Sequence, residues 1–180
     1  MSAKRLPLPP VEYLRECFAY NPVSGKVTWQ HRPERHFGSA GIAAQRNALA
    51  GRAVCHIGAA GYIRVKLDRT TYLLHRIIWA IHSGKFDEEL EIDHINGNRL
   101  DNRFDNLRLA THTENNRNRS VNSNNKLGIR GVYWHATAQK YYAYVGFNGR
   151  REHLGSFDSV ATAEQVVKAA RASRHGAFAK

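Results

Sequence analysis

The stretch that decides the fold runs from Glu91 to Arg119, EIDHINGNRLDNRFDNLRLATHTENNRNR. It opens on Asp93-His94, sets Asn106 twelve residues beyond His94, and presents Asn115-Asn116 nine residues after Asn106. Its apolar residues come in three short groups: Ile92 with Ile95, Leu100 with Phe104, and Leu107 with Leu109. So polar a segment has few side chains to pack, which fits a compact hairpin carrying chemistry better than a packing element. The pattern predicts a strand over 91–95, a tight loop over 96–105, a second strand over 106–110 and a short helix over 111–119. Thr111 and Glu114 stand at capping-box spacing at the start of that helix.

Those residue types suit phosphodiester hydrolysis. That reaction needs a water, a base to take its proton, and a cation to offset charge developing on phosphate. A histidine serves as base because its reference pKa leaves it mostly neutral at pH 7. A hard cation such as Mg²⁺ takes oxygen ligands, often only one or two of them from protein. If the two strands pair and the helix packs across them, Asp93-His94 and Asn115 converge. Asp93 and the Asn115 side-chain carbonyl then supply two ligands, and Asn106 reaches the backbone of the His94 strand. A lone Asp-His pair would say little; the full set at this spacing says much more. A calcium loop of the EF-hand kind is excluded, because Ile95 stands where an oxygen ligand belongs. His112 reads as a phosphate contact, His75 as a packed structural histidine, and Asn116 and Asn118 as helix surface.

Upstream, residues 61–67 alternate at period two, turn at Asp68-Arg69-Thr70 and return over 71–74, predicting a hairpin. A helix over 75–83 follows, closed by Gly84, with Trp79 in the core. Further back, apolar residues at 11, 14, 17 and 18 predict a helix over 11–20, broken by Asn21-Pro22, with a turn at Ser24-Gly25 into a strand over 26–30. Residues 31–60 show little periodicity and read as a loop or ordered arm. Its His31, His36 and His56 read as surface residues. Residues 1–10 are Pro-rich and expected to fray.

Downstream, Ser120–Lys126 (SVNSNNK) is a polar linker. Three strands, 128–134, 141–147 and 152–157, follow, the second turn marked by Asn148-Gly149. An amphipathic helix over 159–174 presents Val160, Ala163, Val167 and Ala170 on one face.

With 180 residues and an apolar fraction of 42%, the chain can build small cores but not one large one. Two widely spaced cysteines argue against a zinc ribbon or a disulfide framework. No apolar run suggests a membrane span or a signal peptide, so a soluble, intracellular protein is expected. The formal charge is +12; residues 117–180 carry 11 Lys/Arg against 3 Asp/Glu, interleaved with five tyrosine and tryptophan residues between 133 and 144. A solvated basic face accounts for charge alone, but the aromatic interleaving favours nucleic acid as partner.

Asp93-His94, Asn106 and Asn115 together resemble the HNH endonuclease signature in the ββα-metal form of phage and intron homing enzymes. Residues 61–81 resemble the hairpin and helix that lead into it, and residues 11–60, more weakly, its phage leader. The resemblance implies His94 as general base, Asp93 and Asn115 as ligands of Mg²⁺ or another divalent cation such as Mn²⁺, and Asn106 as an orienting residue. The third motif position is Asn rather than His, as in homing-type members. Residues 127–180 resemble the ethylene-response-factor, or Apetala-two, type of DNA-binding domain. The residues carrying that likeness are Ile129-Arg130-Gly131-Val132, Lys140–Ala143, Leu154–Asp158 and His175–Phe178. It implies a three-stranded sheet in the major groove, with Arg130 on the first strand, Arg151 on the third, Lys140 on phosphate and Trp134 on DNA or in the core; Arg150, beside Arg151, is a further candidate DNA contact. Tyr133, His135, Gly146 and His153 replace the Arg or Trp of plant members, so no target sequence carries over.

The expectation is therefore an α+β protein: a leader over 1–60, a ββα nuclease domain over 61–120, a linker over 121–126, and a three-stranded antiparallel sheet packed on one helix over 127–180. It would cut double-stranded DNA without a membrane, with a monomer favoured and oligomeric state left open. The alternative is a non-catalytic DNA-binding protein on a nuclease scaffold. An RNA-binding protein that stacks bases fits less well, since the aromatics do not follow known stacking platforms.

Overall fold

The computed structural model describes residues 6–118, 125–147 and 149–179. The fraying expected before residue 6, the end of the predicted helix at Arg119, most of the polar linker and Asn148 of the second turn lie outside them. The chain is α+β and forms two compact units, residues 1–111 and 112–180. That division falls before the 121–126 stretch.

The first unit begins with helix α1 (Val11–Cys17), followed at once by strand β1 (Phe18–Tyr20) paired antiparallel to β2 (Val27–Trp29). The predicted helix to residue 20 therefore stops three residues early. Extended Phe18 instead faces Trp29 across the strand pair, the two rings 4.7 Å apart, a cross-strand contact that a helical Phe18 would not make. The 31–60 arm is more ordered than its periodicity suggests. It holds helix α2 (Ala40–Asn47), whose Ser39 side chain accepts from the Ile42 amide as an N-cap. β3 (Arg64–Leu67) and β4 (Thr70–Leu73) form the expected hairpin, with Asp68 and Arg69 at positive φ in its two-residue turn. α3 (Leu74–Ser83) follows and ends on Gly84 at φ 72. β5 (Glu91–His94) then pairs antiparallel with β6 (Leu107–Ala110). The second strand starts at Leu107, not Asn106, because Phe104–Asn106 forms a 3-10 turn.

One core joins these pieces: Leu14, Cys17, Phe18 and Val27 of the leader are buried with Leu74, Ile77 and Ile78 of α3 and with Ile92 and Leu107 of the β5–β6 pair. The leader is thus packed into the body of the first unit. No helix among the described residues is long and apolar enough to cross a membrane.

The second unit opens with helix α4 (His112–Arg117). Its antiparallel sheet has the order β7 (Val132–His135), β8 (Lys140–Phe147), β9 (Arg150–Phe157), and α5 (Val160–His175) packs on it. Val132, Ala143, Ala163 and Val167 make its core. The first strand begins later than predicted because Gly131 sits at φ 80, with the Tyr144 carbonyl oxygen 2.4 Å from where a Cβ would lie. Only glycine permits that approach. Arg130 therefore lies in the turn before β7 and not on the strand.

Candidate active site

The β5–β6 register sets Asp93 opposite Arg108 and His94 opposite Leu107. Cross-strand neighbours on one face are close enough to pair, and Arg108 donates from Nε at 2.8 Å and approaches from Nη2 at 2.7 Å, both on Asp93 Oδ2. Asp93 and His94 are both buried, at 5% and 3% exposure, so neither charge nor ring is left to bulk water. His94 takes different partners. Its Nε2 lies 3.1 Å from the Asn102 amide oxygen, and its ring lies 5.1 Å edge-on to His75 and 5.9 Å from Tyr62. Burial holds the His94 pKa below the ordinary imidazole value, with the Asn102 hydrogen bond and the charges of Asp93 and Asp101 opposing it in part. The ring is therefore neutral at neutral pH, the form a base requires.

The loop between the strands is built by its polar side chains rather than by a core. Asn96 and Asn98 accept from backbone amides two residues on, at 2.8 and 3.1 Å. Arg103 holds Asp101 through Nε at 2.9 Å and Nη2 at 2.7 Å, pulling that carboxyl down to about 2. Asn106 closes the loop: Oδ1 accepts from the Asn96 amide at 3.0 Å and Nδ2 donates to the Asp101 carbonyl at 2.7 Å. It bonds the loop backbone just past the strand, one step beyond the predicted contact with the strand itself. Arg99 donates to the Ala60 carbonyl and lies over the Tyr62 ring at 4.8 Å. Spacing alone did not point to Asn102, Arg108 or Arg99. His75, read from sequence as structural, is buried as expected, yet its ring touches that of His94.

Among the described residues no trio of His, Cys, Asp and Glu is placed to hold a metal. Mg²⁺ does not require one, since one carboxylate with water and substrate phosphate suffices. A buried carboxylate pinned by Arg108 is such a hard oxygen ligand. It has two oxygens and about four lone-pair sites, so pairing with Arg108 is compatible with coordination. Asn115, the other predicted ligand, lies on α4 in the second unit, where the Arg117 carbonyl accepts from Arg130 Nη1 at 2.6 Å and Arg171 Nη2 at 3.0 Å.

Within that second unit, strand alternation sorts the predicted DNA contacts. Tyr133 and His135 of β7, Tyr142 and Tyr144 of β8, and Arg151 and His153 of β9 share the face turned away from α5. The Arg151 guanidinium lies 3.8 Å from the Tyr144 ring centroid and 4.6 Å from that of Tyr133. Trp134 shares the other face with Val132. At 44% exposure it is not a core residue, and its ring rests on Tyr141 at 4.8 Å. Lys140 pairs with Asp158 at 3.3 Å, and Arg150 is exposed at the start of β9. These residues are not gathered into one patch.

A family model described as HNH endonuclease matches residues 72–117, the stretch holding the end of β4, α3, the β5–β6 hairpin and α4. The chain is 30% identical over 106 residues to Protein 3.8 of Escherichia phage T7, covering 87% of that protein and 59% of this one. It is also 34% identical over 125 residues to a protein of Acanthamoeba polyphaga mimivirus described as an uncharacterized HNH endonuclease, matching 69% of this chain and 64% of that relative, less than two thirds of its length. The chain therefore carries an HNH endonuclease domain over residues 72–117 and belongs to one family with Protein 3.8 of phage T7. No solved structure matches it.

Proposed function

We propose that this protein is a metal-dependent DNA endonuclease of homing or phage type, hydrolysing phosphodiester bonds in double-stranded DNA. The observation that carries this reading is a buried and oriented His94 beside a buried Asp93, at the centre of the family match. His94 is the general base that takes the proton of the attacking water. Asp93 holds the cation, Mg²⁺ or Mn²⁺, Asn115 is the further ligand that the HNH resemblance implies, and Asn106 keeps the loop closed so that the base stays in place. When bound, the cation polarises the phosphoryl group and offsets its developing charge.

The C-terminal unit is the DNA-binding module, of the Apetala-two type, with Arg151 on the open sheet face as its best-placed contact. Arg130, Lys140, Arg150 and Trp134 contact phosphate or sugar at its margins. Groove contacts are needed because chemistry on phosphate carries little sequence information. The protein acts in the bacterial or phage-infected cytoplasm, as a monomer. The second reading, a DNA-binding scaffold that does not cut, is favoured by one observation, the Arg108 guanidinium on the Asp93 carboxylate.

A plasmid-nicking assay with and without Mg²⁺ decides between them. The wild type should nick only with the cation, and His94→Ala should lose about 10²–10⁴ in rate with DNA affinity nearly unchanged. A wild type that binds plasmid but never nicks establishes the scaffold reading. An alanine variant cutting at above about a tenth of the wild-type rate removes His94 as base.

A further inference from the structure

The leader residues Tyr20 and Gly25 touch the same short piece of the hairpin loop, and that piece holds His94. Asn102 is 2% exposed, and its amide oxygen faces His94 Nε2 at 3.1 Å. An amide oxygen can only accept, so Nε2 carries the proton, and the lone pair of the neutral ring lies on Nδ1. The Asn102 backbone is itself clamped. Tyr20 donates its hydroxyl to the Asn102 carbonyl at 2.9 Å. Gly25, at φ 70, abuts the Asn102–Arg103 peptide so closely that a Cβ there would lie 2.7 Å from the Asn102 carbonyl carbon and 2.6 Å from the Arg103 nitrogen. Phe104 donates its amide to the Pro22 carbonyl at 3.2 Å and stacks on Trp79 at 5.1 Å. The Tyr20 phenol is pushed up to about 12, by burial first and then by Asp105 and Asp101, so it remains a donor throughout the neutral range.

We propose that Asn102 is a positioning residue that fixes His94 as the Nε2–H tautomer with Nδ1 as its basic nitrogen, and that the leader, through Tyr20 and Gly25, holds Asn102 in register. The proposal rests on the reading of His94 as general base. It gives residues 18–25 a catalytic consequence even though none of them reaches the substrate. Loss of a side chain that orients a working histidine in this way typically costs about 10–100-fold in activity.

The test uses full-length, metal-free protein labelled with ¹⁵N in histidine, at about pH 8, above the ordinary imidazole range. Long-range ring ¹⁵N–¹H correlations distinguish the two tautomers, and the His94→Ala spectrum assigns the ring. Wild type should show His94 as Nε2–H. Asn102→Leu, which removes the acceptor at similar volume, should lose that pure signature and lower kcat about 10–100-fold with KM little changed. Asn102→Asp keeps an acceptor at the same reach and should restore the tautomer and most of the rate. Gly25→Ala and, more weakly, Tyr20→Phe should shift both readouts in the direction of Asn102→Leu. Wild-type His94 in the Nδ1–H form, or an Asn102→Leu protein with unchanged tautomer and kcat, overturns the proposal. If Asn102→Leu fails to fold, Tyr20→Phe and Gly25→Ala decide: an unmoved tautomer and kcat in both overturn it. Should His94→Ala cut normally, the general-base reading fails whatever Asn102 does. If His94→Ala is inactive while the Asn102 and leader variants are unaffected, only the present inference fails.

Discussion

At the scale of single residues, the Asp93–Arg108 pair carries the most consequence. A carboxylate exposed by only 5% is tolerable when a cation neutralises it, and Arg108 does so through two contacts on one oxygen. Removing the guanidinium leaves a buried charge uncompensated, which costs far more than the net value of the pair. Arg108→Met, which preserves length and apolar stem, should therefore lower the stability of metal-free protein on the order of 3 kcal/mol in urea unfolding. Added Mg²⁺ should stabilise this variant more than the wild type, because the cation replaces the missing charge at Asp93. Equal stability of the two metal-free proteins would show that Arg108 is not what makes the buried carboxylate tolerable. An equal Mg²⁺ response would argue against Asp93 as ligand.

At the scale of elements, the open face of the β7–β9 sheet is where the basic charge acquires a direction. Arg151 lies against Tyr133 and Tyr144, so its guanidinium is held on that face rather than sweeping through solvent. Arg151→Ala should cost roughly 1–3 kcal/mol on the preferred duplex, and less on random DNA, if it reads a guanine edge. Equal losses on both, measured by fluorescence anisotropy, would make it a phosphate contact. The element scale also shows where sequence was readable. The strands and helix of this unit follow from period-two alternation and one amphipathic face, and the β3–β4 and β5–β6 hairpins from alternation around polar turns. Asp93, His94 and Asn106 are legible because spacing alone brings them to one hairpin. Arg108 and Asn102 are not, because their roles arise from strand register and loop closure. The short strand β1 escaped because Phe18 continues a helical apolar pattern and becomes extended only through its packing on Trp29. The helix α2 escaped because it buries only Ala43, leaving its Ser39 cap as the one local signal.

At the scale of the whole molecule, the chain is two units with separate cores, and their coupling is testable by deletion. Among the described residues the core of the first unit draws on positions from Leu8 to Leu109, so a fragment of residues 1–120 should fold and unfold cooperatively. That fragment lacks nine Lys/Arg and three Asp/Glu, so half of the +12 charge is gone. DNA affinity should fall steeply. The slope of log K against log [salt] should flatten by about 0.9 for each phosphate contact removed. A second loss should accompany it. In the full chain the end of α4 is held by guanidinium donors from Arg130 and Arg171 on the Arg117 carbonyl, and both are absent from the fragment. A helix of six residues is not stable alone in water, so Asn115 should lose its fixed place. Cleavage should then remain slow even at DNA concentrations that saturate the fragment, which a loss of affinity alone would not produce. A fragment cutting at the full rate under saturation would mean that the Asn115 helix needs nothing from residues 121–180. If it kept full affinity and the full salt slope as well, recognition would lie in the first unit, where residues 26–69 carry eight Lys/Arg against two Asp/Glu.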